Sequence, residues 1–145
     1  MPLPDDEEPL GLSFFRTRVE DESFDNFSMP RTFFGRSQIN SCTLRNADLS
    51  QSNLCWNDFL DVDFSLADLR GADLRCSIFK RVKFQNTDLR SADLRRAGFI
   101  DCDFKDAQLE GTRLTRFQIQ RLKLALAQKR VIKKSWTAGE VPPGG

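Results

Sequence analysis

The sequence has no histidine and no tyrosine among its 145 residues. Without histidine, the chain cannot build a Ser-His-Asp or Cys-His nucleophilic site, nor a metal site that uses an imidazole ligand. It also lacks the run of about 18 apolar residues that a membrane-spanning helix needs. Its first residues lack the basic and apolar segments of a signal peptide. We therefore expect a cytoplasmic location and no membrane partner.

Sequence motifs for catalysis are absent as well. The chain has neither a phosphate-binding P-loop nor a G-x-G-x-x-G motif, and no cluster of metal-ligating residues. We therefore expect no catalytic residues, no cofactor and no metal, and interpret the protein as non-enzymatic. The formal net charge of +1 and the hydrophobic content of 39% are typical of a single globular domain.

A period of five residues runs through most of the chain. Every fifth residue from Phe24 to Leu124 is apolar, which makes 21 matches in succession. Two positions before each of these centres the residue is small from Cys42 to Thr112, with Asn57 as the poorest fit. Residues two apart in an extended segment share a face, so the small residue and the centre are both predicted to point inward.

The period of five fits neither a helix nor a flat strand, so the chain must bend after each short extended segment. The centres also repeat in the order Phe-Phe-Leu-Leu from Phe59 to Leu114, which is a second period of 20 residues. The sequence therefore predicts four short faces in each coil. Along the axis, phenylalanine stacks on phenylalanine and leucine on leucine.

Four of the centres, Leu49, Leu69, Leu74 and Leu94, are preceded directly by Ala-Asp. With these repeats the chain resembles the pentapeptide-repeat family, whose pattern is A-(D/N)-L-x-x, over residues 37–114. The resemblance implies an all-β solenoid of the right-handed quadrilateral β-helix type. We expect about four to five coils, closed by a C-terminal α-helical cap.

The N-terminal part departs from the repeat. Residues 1–12 are interpreted as a flexible acidic segment. Residues 13–36 are predicted to form an irregular first coil or cap, because Pro30 interrupts the pattern and Phe27 and Phe33 stand outside the centres. The regular β-helix is then expected over residues 37–114.

The C-terminal part is basic. Residues 113–134 hold eight basic residues and no acidic one. Alanine, leucine, glutamine and lysine predominate there, which predicts a basic helical cap over residues 115–134. Residues 135–145 contain Pro-Pro-Gly-Gly and are interpreted as a flexible tail.

Charged residues flank the leucine centres in pairs, with an aspartate before the centre and an arginine after it. This arrangement predicts either a recognition surface or a solvated wall of salt bridges, and exposed pairs contribute at most about 1 kcal/mol each. The candidate contact residues on this charged face are Arg70, Arg75, Arg90 and Arg95.

A second candidate surface is apolar. Leu60, Ile78 and Ile100 are outward neighbours of phenylalanine centres, and Trp56 lies at a neighbouring corner. Clustered apolar side chains on a surface mark partner or self-association sites, although scattered aliphatic residues are common on any surface.

The predicted basic helix is a third candidate, with Arg121, Lys129, Arg130 and Lys133 as its contact residues. Such a helix could bind nucleic acid or an acidic partner, or it could serve only as a cap.

The four cysteines do not predict a disulfide scaffold. Cys42 and Cys102 share an inward column three coils apart, which is beyond bridging range. Cys55 and Cys76 are expected on adjacent coils within bridging range, and their pairing stays open. Two thiols without further ligands make a poor zinc site.

These observations leave three hypotheses of function. The first is a non-catalytic protein-interaction module, a rigid rod that binds a protein partner through its flat faces. The second, which rests on the family resemblance alone, is a DNA gyrase or topoisomerase-binding protein of the quinolone-protection or inhibitor type. The third is nucleic-acid binding through the basic C-terminal helix. The resemblance also implies an end-to-end homodimer, an association that the predicted helical cap could block.

Overall fold

The computed structural model describes residues 12–135 as a β-solenoid of about six turns. Its strands pair in parallel with a constant offset of 20 residues, as in Asp58↔Ile78 and Ile78↔Gly98. This offset confirms the predicted solenoid and its four-sided coil. The predicted flexible segments 1–12 and 135–145 lie outside the described residues, except for one residue at the inner end of each.

The strands are three residues long, and two six-residue helices lie near the C-terminal end. In chain order the elements are β1 (Ser13–Phe15), β2 (Arg18–Glu20), β3 (Phe33–Gly35), β4 (Gln38–Asn40), β5 (Asp58–Leu60), β6 (Ile78–Lys80), β7 (Gly98–Ile100), β8 (Arg113–Thr115), α1 (Arg116–Arg121), α2 (Leu126–Val131) and β9 (Lys133–Ser135).

Four faces run along the axis. Face A is the five-stranded sheet β2-β4-β5-β6-β7. Faces B, C and D follow it in each turn, and single bridges such as Asp63↔Lys83, Asp68↔Asp88 and Asp73↔Asp93 connect their coils. At the ends of face D, β1 pairs with β3 and β8 pairs with β9.

The predicted ladders fill the core. Phe79 is fully buried between Phe59 and Phe99, with ring centroids 4.9 and 5.3 Å away. Phe84 is stacked in the same way on face B, 5.5 Å from Phe64 and 4.8 Å from Phe104. The buried leucine centres form the other two ladders. A column of stacked rings keeps the apolar interior continuous from coil to coil.

Small polar residues inside the coil form hydrogen bonds between successive coils. Thr87 donates from its hydroxyl to the carbonyl of Phe64 in the coil below, at 2.7 Å. Asn57, the poorest fit of the sequence pattern, donates from its amide to the carbonyl of Phe34 at 2.7 Å and accepts from the backbone of Ser37 at 2.9 Å. These buried polar groups therefore bind one coil to the next.

The chain bends at every fifth residue by adopting a left-handed backbone conformation. Eighteen described residues other than glycine have a positive φ, among them Asn46 at 57° and Trp56 at 61°. Two glycines, Gly71 and Gly111, occupy the same type of position. Each corner residue points its side chain outward, because the residue after it is the small inward one.

The first coil is more regular than the sequence predicts. Residues 13–36 pair in register with the following coil through β1-β3 and β2-β4, so the predicted first coil is present but its predicted irregularity is not. Phe27 and Phe33 point outward and leave the core undisturbed. Pro30 is also accommodated. At the equivalent position one coil later, the backbone N–H of Ser50 bonds only to a nearby aspartate, so a proline without an N–H loses no bond between coils. Together with a last coil that ends in β9, this complete first coil brings the number of turns to about six, above the predicted four to five.

The helical cap is present, but the prediction of one helix over residues 115–134 is wrong. A continuous helix of 20 residues would be about 30 Å long and would leave the coil. Instead, α1 and α2 are separated by extended backbone at Leu122, and β9 returns to pair with β8 at the usual offset of 20 residues. The last coil therefore keeps the perimeter of the others.

Two glutamines join these helices to the coil below. Gln118 donates from its amide to the carbonyls of Leu94 and Ala97 at 2.7 and 3.0 Å. Gln128 donates to the carbonyls of Phe104 and Ala107 at 2.9 and 3.0 Å. In earlier coils carbonyls at the two equivalent positions accept from different donors. The Phe64 carbonyl accepts from the hydroxyl of Thr87, and the Thr87 carbonyl accepts from the backbone N–H of Gln108. In the cap, one glutamine amide group replaces both kinds of donor.

Candidate functional site

The charged pairs lie where the sequence predicts them, on faces C and D. Arg70 binds Asp68 through two side-chain hydrogen bonds of 2.9 and 2.7 Å, and Arg75 binds Asp73 at 2.9 and 2.8 Å. Arg90 and Arg95 repeat this geometry one coil further. Each aspartate also accepts the backbone N–H of its arginine.

The same arginines reach toward the next coil, since Arg70 lies 3.9 Å from Asp88 and Arg75 lies 3.8 Å from Asp93. Burial raises the pKa of Asp73, but hydrogen bonds from Arg75 and Cys55 outweigh it and lower the pKa to about 2. The charged face is therefore a balanced wall whose arginines are held along the surface by their own aspartates.

The apolar candidates are only partly brought together. Ile78 lies beneath Gly98 on face A, and a Cβ at position 98 would lie 3.9 Å from the Ile78 side chain. Ile100 belongs to the neighbouring outward column, where Lys80 separates it from Leu60. Ile78 and Ile100 are both 49% exposed. Trp56 lies at the corner between faces D and A, outside this cluster.

Helix α1 adds a wall that the five-residue pattern does not predict. Phe117 and Leu122 stand beside Gly98 and Ile100 and enclose a groove of about 260 Å³. The guanidinium of Arg121 lies 4.3 Å from the centre of the Phe117 ring. We call this the Gly98 groove; its lining residues are Ala97, Gly98, Phe99, Ile100, Phe117, Gln118, Arg121 and Leu122. The spacing of Phe117 and Arg121, four residues apart, is the signal in the sequence that could have found it.

The basic candidates are spread over three elements. Arg121 ends α1, Lys129 and Arg130 lie in α2, and Lys133 begins β9. Because extended backbone separates the helices, these side chains do not form one continuous helical face. Arg121 instead belongs to the rim of the Gly98 groove.

The cysteines carry no bridge, since all four are free thiols. Cys42 is buried, and burial raises the pKa of its thiol. Burial also raises the pKa of Cys55, together with its interactions with Asp73, to about 12. Cys55 and Cys42 are therefore protonated and poorly nucleophilic at neutral pH.

Residues 12–135 hold neither a metal-ligand cluster nor a membrane-spanning helix. Within that part of the chain, no three Cys, Asp or Glu side chains are placed to hold a metal ion. No helix among the same residues is long and apolar enough to cross a bilayer.

Comparison with known structures identifies the same architecture elsewhere. The structure is similar to HetL, a pentapeptide-repeat protein involved in the regulation of heterocyst differentiation in the cyanobacterium Nostoc sp. strain PCC 7120. That match has a TM-score of 0.66 at 21% identity and covers 69% of this chain, but only 48% of HetL. The chain thus matches about half the length of that relative, and the likeness shows the fold alone.

Two further structures are more distant. Rfr23 from the cyanobacterium Cyanothece 51142 has a TM-score of 0.46 at 19% identity, covering 68% of this chain and 84% of Rfr23. QnrB1, a plasmid-mediated fluoroquinolone resistance protein, has a TM-score of 0.27 at 14% identity, covering 72% of this chain and 73% of QnrB1. No curated protein sequence matches the chain.

The family model for pentapeptide repeats matches residues 37–75 and 77–116 with eight copies, which is more than half of the chain. The matched residues include the Ala-Asp-Leu repeats, and the structure gives them the expected coil. The chain belongs to the pentapeptide-repeat family.

Proposed function

We propose that the protein is a non-catalytic interaction module that binds a protein partner through the Gly98 groove. The observation that carries this proposal is the groove itself. An apolar floor at Gly98, a wall at Phe117 and an exposed Ile100 lie together in one concave site. Surfaces of this kind on monomeric proteins are sites of association.

The shape and charge of the groove define the chemistry of the partner. Gly98 leaves room for a side chain against the sheet, and Ile100 and Leu122 favour an aliphatic or aromatic one. Arg121 at the rim favours a carboxylate next to it. The partner would therefore present an exposed segment in which an apolar residue is followed closely by an acidic one.

The rigidity of the rod supports this function. The floor of the groove is β7, which pairs with β6 and packs over the phenylalanine ladder. A preorganised surface loses little conformational entropy when it binds.

Two matched variants test the proposal. Ile100→Asp places a charge in the groove. Leu66→Asp places the same charge outside the groove, at the corner between faces B and C, on an aliphatic residue of similar exposure (Ile100 49%, Leu66 55%). Proteins captured from lysate by the wild type would be purified and their affinities measured by calorimetry. We expect about a tenfold or larger loss for Ile100→Asp and little change for Leu66→Asp.

Equal affinities of all three proteins for every captured partner would contradict the proposal. Circular dichroism of each variant checks that the coil is intact before binding is compared. Recovery of a topoisomerase subunit whose binding is lost with Ile100→Asp would join this proposal to the gyrase hypothesis.

The other two hypotheses have less support. QnrB1 superimposes with a TM-score of only 0.27, so gyrase binding still rests on the resemblance. Nucleic-acid binding by the basic C-terminal segment has less support, because its basic residues are spread over α1, α2 and β9 instead of one helical face.

A further inference from the structure

One corner of the solenoid carries a row of arginines around an exposed tryptophan. Between faces D and A, the left-handed corner positions of five successive coils are Arg16, Arg36, Trp56, Cys76 and Arg96, with φ between 48° and 62°. Coils are spaced by about 4.8 Å, so this row is about 19 Å long. We call it the arginine corner.

The columns beside this corner contain three further arginines, each paired with a carboxylate. The corner residues and their nearest outward neighbours in the same five coils include six arginines and one acidic residue, Asp58. Arg75 and Arg95 are bound to their aspartates and Arg18 is paired with Glu20, whereas Arg36 and Arg96 form no ion pair with any residue between 12 and 135. The guanidinium groups of Arg36 and Arg96 are exposed and available to a ligand.

The diagonally opposite corner, between faces B and C, has the reverse charge. The corner residues there and their nearest outward neighbours on both sides include five aspartates. The basic residues among them are Arg45 and Lys105. The net charge of the chain is only +1, and it conceals this difference between two edges of the rod. A polyanion is therefore attracted to one edge and repelled by the other.

Aromatic rings accompany the arginines. Trp56 is 63% exposed, the largest exposed fraction among the aromatic side chains of the described residues. At the start of face D, the exposed rings of Phe15 and Phe33 lie over Gly35, where a Cβ would be within 3.0 Å of both. The guanidinium of Arg16 lies 5.3 Å from the centre of the Phe15 ring.

We propose that the arginine corner binds single-stranded nucleic acid, with the sugar-phosphate backbone along the rod and a base stacked on Trp56. Arg16, Arg36 and Arg96 bind phosphates, and the indole accepts any base, since every base has a flat π face. A duplex buries those faces in its own stack. An acidic peptide uses the charge of this corner but gains little from the indole. The combination of free arginines and an exposed indole therefore favours an unpaired strand.

Fluorescence anisotropy with labelled oligo-U and oligo-dT of about 12 nucleotides tests the proposal. The variants are Trp56→Ala and the pair Arg36→Gln with Arg96→Gln. Their matched control is the pair Arg45→Gln with Lys105→Gln, which removes the same charge from the opposite corner. In a Trp136→Phe background, quenching of the remaining indole reports stacking directly.

We expect Trp56→Ala to weaken binding about 5-fold to 100-fold with little effect on its salt dependence. The arginine pair should reduce the slope of log K against log salt by about 0.7 for each phosphate that the variant no longer neutralises. The control pair should leave affinity unchanged or lower it slightly, because it removes positive charge far from the bound strand.

Three results would overturn the proposal. The first is the absence of any binding at low salt. The second is equal competition by a duplex of the same length or by polyglutamate, which would show a general anion site or an acidic protein partner. The third is an undiminished affinity of Trp56→Ala without indole quenching.

Discussion

At the scale of single residues, the repeat aspartates combine a backbone role with a surface role. Asp73 accepts the backbone N–H of Arg75 at 3.1 Å and holds its guanidinium at 2.8 Å. The first bond fixes the turn, and the second positions the charge over the next coil. These carboxylates therefore belong to the scaffold, and the side chains that remain available to ligands are those without such a partner.

Removing the guanidinium of Arg75 should make the protein more sensitive to acid. The folded-state pKa of Asp73, about 2, lies below its ordinary value of 3.8. The stability it contributes is therefore complete above about pH 4 and is lost as the pH falls toward 2. With Arg75→Gln the pKa of Asp73 rises, and the acid unfolding midpoint shifts to higher pH. Circular dichroism across an acid titration measures the midpoint, and carboxyl NMR measures the pKa.

Arg45→Gln is the control for this experiment, because Arg45 lies 3.9 Å from Asp63 and forms only a loose pair with it. An identical shift of the midpoint in both variants would show a general charge effect and contradict the specific role of Arg75.

At the scale of elements, the repeated coils and the presence of a helical cap could be predicted from the sequence, but the division of the cap into two helices could not. The period of 20 residues identifies which phenylalanines stack, and Phe59, Phe79 and Phe99 do so. The helical composition of residues 115–134 does not show which backbone carbonyls of the coil below still need a hydrogen-bond donor. Those carbonyls fix the positions of Gln118 and Gln128, and thereby divide the helix in two.

Gln118→Glu should loosen the cap while preserving its shape. A glutamate keeps the acceptor for the backbone of Thr115 but cannot donate to the carbonyls of Leu94 and Ala97. Each unsatisfied buried group costs about 1–3 kcal/mol, so we expect the free energy of unfolding to fall by at least about 1 kcal/mol. Urea unfolding measures this loss, and hydrogen exchange should show faster exchange in α1.

Gln120 provides the comparison, because it lies exposed on the same helix. If Gln120→Glu destabilised the protein as much as Gln118→Glu, the loss would reflect charge on α1 rather than the missing hydrogen bonds.

At the scale of the whole molecule, the coil is the unit of construction. Deletion of residues 62–81 removes one complete turn and joins Asp61 to Val82, which replaces one valine by another at the same inward position. We expect a folded, shorter rod whose urea m-value is lower by about a sixth. Deletion of only residues 62–66 shifts every later centre by one face, and we expect that variant to lose cooperative unfolding.

The candidate surfaces could be predicted only in part, because they depend on neighbours 20 or more residues apart. Leu60 and Ile100 share an outward column, as the register requires, but Lys80 lies between them. Phe117 joins the Gly98 groove through the short helix, which the five-residue pattern does not describe. The net charge does not reveal the arginine corner, because the corner depends on where the charged residues lie around the solenoid axis.

The two capping glutamines also set the length of the rod. A stack with a constant repeat has no natural end, and an open coil edge is a template on which another strand can form. Gln118 and Gln128 occupy carbonyls that an incoming backbone would need. Beneath α1 and α2, the edge is therefore closed to further growth. The same two amides that complete the last coil protect those faces from fibril-like addition of a second chain.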